Sequence, residues 1–108
     1  MPLYFSETQV DIPSGTGRRE RIIWESHPID KKYGAILGAN VALSGFKLQY
    51  DDPDHHIKVI EVHAHFENID YTDRKILFSV DCNLADENDD DPYSGFVKVL
   101  SVVEVELR

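Results

Sequence analysis

The sequence predicts an all-β fold: a single domain over residues 1–108, built as an antiparallel six-stranded β-sandwich. Three observations carry that expectation. Apolar residues recur with a period of two, most clearly in Ile57–Phe66 (IKVIEVHAHF), around which the chain is organised. The alternating stretches are separated by short clusters of Asp, Asn, Gly and Pro, the residues of turns. No segment carries a convincing helical repeat. A length of 108 residues suits one core, and a hydrophobic content of 42% lies near the globular norm.

The N-terminal strand and the flexible turn after it take residues 1–18. Met1–Pro13 alternates briefly and should stop at Ile12-Pro13, because proline cannot donate to a central ladder. Ser14-Gly15-Thr16-Gly17-Arg18-Arg19 has glycines beside hydroxyls, yet it lacks the Walker spacing and its Lys-Ser/Thr. It reads as a turn. Arg21–His27 (RIIWESH) is the second strand, ended by Pro28, and its Trp24 is expected as a core anchor. Tyr33–Tyr50 is a long strand. Helix over Ala35–Leu43 is disfavoured, since Gly34, Gly38 and Gly45 would each cost about 1 kcal/mol relative to alanine. Glycines within a strand mark bulges or close backbone approaches.

Asp51–His56 is a turn, and Ile57–Phe66 follows with Ile60, Val62, Ala64 and Phe66 on one phase. Burying Ile60, Val62 and Phe66 would contribute roughly 1.5–3 kcal/mol each. Val59, Glu61, His63 and His65 take the other phase, which should meet water, a ligand or another subunit. Glu67–Asp73 turns into the strand Arg74–Leu84, where Cys82 shares the core phase with Ile76, Phe78, Val80 and Leu84. Asp86–Pro92 is an acidic loop. The last strand, Gly95–Leu107, places Val97, Val99, Val103, Val105 and Leu107 on one phase. Its other phase adds Phe96, Leu100 and Val102, and such two-sided apolarity predicts an oligomer interface.

The formal net charge of −9, from 20 acidic and 11 basic residues, disfavours nucleic acid and anionic membrane as partners. No apolar run approaches the ~20 residues of a spanning helix. The start, MPLYFSETQV, has no Sec-type signal pattern, and the lone Cys82 fits a reducing compartment; the expected location is cytoplasmic, or outside by a route without a Sec signal.

His63-Ala64-His65 sets imidazoles on one strand face, about 7 Å apart at the backbone, with Glu61 extending the row. These residues are the candidate metal ligands, with His55 or His56 just upstream. Calcium is a candidate for the loops Asp51–Asp54 and Asp86–Asp91, although neither has EF-hand spacing. No nucleophile elbow, Ser-His-Asp pattern or HExxH occurs. The chain is therefore expected not to be an enzyme and to need no cofactor. A small metal-dependent enzyme on Glu61, His63 and His65 is the weaker alternative.

From Arg21 to Leu107 the chain resembles the H-type lectin domain of snail agglutinins. The likeness rests on IIWESHPI, ANVALSGFKLQYDD, HIKVIEVHAHFEN and ILFSVDCNL before a polar loop. The resemblance implies a six-stranded sandwich that trimerises and binds galactose-type sugars at clefts between subunits. It places Lys58 where that family uses a basic residue on the sugar. After the Cys82 strand the family carries an aromatic-histidine pair, whereas this chain reads Asn83-Leu84-Ala85-Asp86, with Tyr93 as the replacement aromatic. The expected contacts are thus Lys58, Asn83, Asp86 and Tyr93, and the expected function is an oligomeric carbohydrate-binding module. A particle or phage assembly protein without a small-molecule ligand is the alternative.

Overall fold

The computed structural model describes residues 2–16, 20–50, 59–85 and 92–107. The described residues form six strands and no helix: β1 (Leu3–Thr16), β2 (Glu20–Glu25), β3 (Tyr33–Tyr50), β4 (Val59–Asp70), β5 (Lys75–Ala85) and β6 (Tyr93–Leu107). They make two three-stranded sheets, β1-β6-β3 and β2-β5-β4, in which every neighbour is antiparallel. The all-β, six-stranded expectation therefore holds. The sheets face each other with the central strands β6 and β5 innermost, so these two supply most of the core.

Alternation makes that core. Val97, Val99, Val103 and Val105 of β6 are fully buried, as are Ile76, Phe78 and Val80 of β5. Cys82 and Leu84 join them with Val10 and Ile12 of β1. A second cluster gathers Ile29, Ile36, Ile76, Val103 and Val105 towards the other end. Leu107, on the same phase of β6, is exposed because the strand runs out past the core.

Several boundaries shift for physical reasons. β1 passes through Pro13 to Thr16, with a register break between Ile12 and Thr16. It lies at a sheet edge, where the missing N–H costs no ladder bond. β4 continues beyond Phe66 to Asp70 because Glu67 is absorbed as a bulge between Phe66 and Asn68. The turn then falls at 71–74, closed by the Asp70 carboxylate accepting from the N–H groups of Thr72 and Asp73. Arg74 takes a left-handed φ of 58° there. Its guanidinium donates to the carbonyl oxygens of Ile29, Asp30 and Tyr33, tying this turn to the β2–β3 connection. β2 stops at Glu25, and Ser26 extends the pairing by a backbone N–H and a hydroxyl, each joined to Ile76 at 2.9 Å.

The Trp24 expectation is corrected. Its register partner is the buried Phe78, so it lies on the core-facing phase, yet it remains 48% exposed. β2 is a short edge strand, and β1 opposite does not close over the indole.

The calcium readings at Asp51–Asp54 and Asp86–Asp91, with His55, His56, Lys58 and Asp86 themselves, lie outside the described residues.

Candidate functional site

The polar row of the sequence lies on the outer face of the second sheet. β5 is central there, and register sets Asp81 between Arg21 of β2 and His63 of β4. Asp81 is buried beneath longer neighbours although it points away from the core. Arg21 Nε donates to its Oδ1 at 2.8 Å and a terminal guanidinium nitrogen to Oδ2 at 3.0 Å, a bidentate pairing. His65 brings Nε2 to 3.2 Å from the same Oδ2. The Arg21 hydrogen bonds, against the opposing effect of burial, pull the Asp81 carboxyl down to about 2. Below it, Ser79 donates its hydroxyl to Glu67 Oε1 at 2.7 Å.

His63 and His65 stack with ring centroids 6.1 Å apart and planes 26° apart. Glu61 stands further along the same strand, register-paired with Asn83 of β5. Among the described residues no three of His, Cys, Asp and Glu converge where a metal ion could sit. His65 is instead directed at Asp81, a partner that single-strand reasoning on Glu61, His63 and His65 missed. The alternation of Arg21–Glu25 and of Arg74–Leu84 held the signal, since both Arg21 and Asp81 fall on the outward phase.

Of the expected sugar contacts, Asn83 is half-buried on this outer face. Tyr93 is not on a surface at all. It is fully buried, and its hydroxyl lies 3.4 Å from the Cys82 carbonyl oxygen and 3.8 Å from Cys82 Sγ. The reason is register: Tyr93 opposes Tyr50 on the inward face of the first sheet. Its ring cannot stack on a sugar. Lys58 and Asp86 lie outside the described residues.

A second feature adjoins this face. Leu43 and Phe46 of β3 pair with the buried Val99 and Val97, and Ile60 and Phe66 of β4 pair with the buried Leu84 and Phe78. All four therefore sit on the core-facing phase, yet they are 38–46% exposed. β3 and β4 are edge strands lying opposite one another, so this side of the sandwich is an open apolar seam. β4 carries both features, with Ile60 and Phe66 on the seam and Glu61, His63 and His65 on the adjoining rim.

Compared with family models, with curated proteins and with solved structures, the chain matches none. No helix of the described residues is long and apolar enough to cross a membrane. The fold and site define an all-β sandwich with an open apolar side and a polar rim.

Proposed function

We propose that the protein is a self-associating, non-catalytic module that binds carbohydrate along the boundaries between subunits. The open seam of Leu43, Phe46, Ile60 and Phe66 is the observation that carries this reading. Apolar side chains on a core-facing phase leave the core incomplete, and a neighbouring subunit supplies the missing cover. The sandwich is 54 Å long, which leaves an extended side for a neighbouring subunit to cover.

Assembly through this side would set the Glu61–Asn83 rim beside the subunit boundary. Carboxylate, amide and imidazole groups together accept from and donate to sugar hydroxyls. Each site would be weak alone, and repetition in a cyclic trimer would raise retention on a glycan surface. A glycan array probed with purified wild-type protein tests the ligand class. Binding to at least one sugar, weakened by Asn83→Ala and Glu61→Ala, is expected. A blank array at high protein concentration would leave the second reading, an assembly component without a small-molecule ligand. The elongated shape and exposed Phe5 and Leu3 on the outer face of the first sheet favour that alternative.

A further inference from the structure

The side of the sandwich away from the seam is open as well. β1 and β2 are the edge strands there, and between them lies a cleft of about 640 Å³. That size falls within the roughly 300–1,000 Å³ of small-molecule sites. Trp24 lines it, half-exposed, with Leu77 and Pro28 as further apolar wall. Thr8 shares the core-facing side with Trp24, His27 lines the cleft beyond the end of β2, and Glu25 and Lys75 border it from the outward face of the second sheet.

We propose that this cleft binds the ring of a neutral sugar, with Trp24 as the stacking platform and Thr8 and His27 addressing its hydroxyls. An indole of large apolar area left half in water on a core-facing phase is a cost to the free chain, and a ligand's apolar face removes it. A pyranose has such a face, formed by its C–H groups, and a periphery of hydroxyls that both donate and accept. The cleft offers matching groups, beginning with the His27 imidazole, which has one nitrogen to donate and one to accept. Thr8 adds to them, since it lines the cleft, is buried, and its Oγ1 has no hydrogen-bond partner among the described residues.

Charge selects a neutral ligand. Lys75 Nζ lies 2.9 Å from Glu25 Oε1, so the two charges bordering the cleft cancel. The net charge of −9 repels anions such as nucleotides. The ligand class rests on the carbohydrate reading above, whereas the place does not. The cleft belongs to one chain and needs no neighbouring subunit.

Trp24 is the sole tryptophan, so indole fluorescence reports on this cleft alone. Wild type and the seam variant Phe46→Ser/Phe66→Ser are titrated with N-acetylglucosamine, methyl galactoside and methyl glucoside, with adenosine monophosphate as the anionic probe. A saturable change with at least one sugar is expected, with equal midpoints in the two proteins. In Thr8→Val of unchanged or raised Tm the midpoint should weaken roughly tenfold. No saturable response to any of the three sugars overturns the proposal, as does a midpoint unmoved by Thr8→Val or tighter binding of the nucleotide. A silent Trp24 in a protein that still binds a glycan array removes the cleft and keeps the rim. A silent Trp24 with a blank array removes both.

Discussion

At Gly95 the backbone of β6 runs so close to β3 that a β-carbon would overlap the Lys47 carbonyl oxygen, and its φ of +155° adds strain for any other residue. Gly95→Ala should therefore destabilise by roughly 1–3 kcal/mol or more in urea unfolding. Gly38→Ala, which meets open space, should change stability far less. A similar response in both would contradict this packing. Tyr93→Phe removes a hydroxyl whose contact to the Cys82 carbonyl is long, 3.4 Å, so a loss of about 0.5–1.5 kcal/mol is expected with glycan binding unchanged. Binding lost at unchanged stability would return Tyr93 to the ligand site. Asp81 sets a pH dependence. Its folded value of about 2 lies below the ordinary 3.8, so its contribution is present above pH 4 and lost as pH falls through 2. Wild type should exceed Arg21→Gln in stability at neutral pH, with the difference shrinking between pH 4 and pH 2. A difference constant across that window would remove the ion pair as its cause.

The seam and the rim belong to the scale of the strand. Period-two alternation suffices to place Val97, Val99, Phe78 and Val80 in the core, because a central strand is covered whichever sheet faces it. The same rule applied to Ile60, Phe66 and Trp24 expects burial and finds them half-exposed. Alternation names a phase, but strand order decides whether that phase is covered, and order arises from long-range pairing that no local pattern carries. Tyr93 failed in the opposite direction: a residue two positions beyond the expected strand boundary was already within β6. The Arg21–Asp81–His65 cluster required three strands in register, so the sequence showed its members without their meeting. Truncation separates the two apolar surfaces. Phe46→Ser/Phe66→Ser should leave the fold intact, since these rings are already partly in water, and should lower the mass seen by light scattering. Leu100→Ala/Val102→Ala alters the outer face of the first sheet, where the Ser44 hydroxyl donates to Glu7 and Lys98 approaches that carboxylate. It should leave the mass unchanged. The reverse pattern would move the interface to that face.

The whole molecule is long for its size, with a radius of gyration of 16.3 Å where a compact chain of about 100 residues has ~13 Å. Three-stranded sheets bury their central strands well and their edge strands poorly, so both long sides are left open. One offers the seam and its polar rim, and the other the Trp24 cleft. Bringing together copies that each carry a net charge of −9 is opposed by repulsion, which salt screens. Added salt should therefore strengthen association. The central claim is that the seam assembles the protein and that assembly displays the sugar sites. Retention of wild type and Phe46→Ser/Phe66→Ser on one immobilised glycan surface, at equal chain concentration, tests both together. The account predicts slow wash-off of an oligomeric wild type and rapid loss of a monomeric variant whose single-site binding is preserved. Equal retention of the two proteins would contradict it.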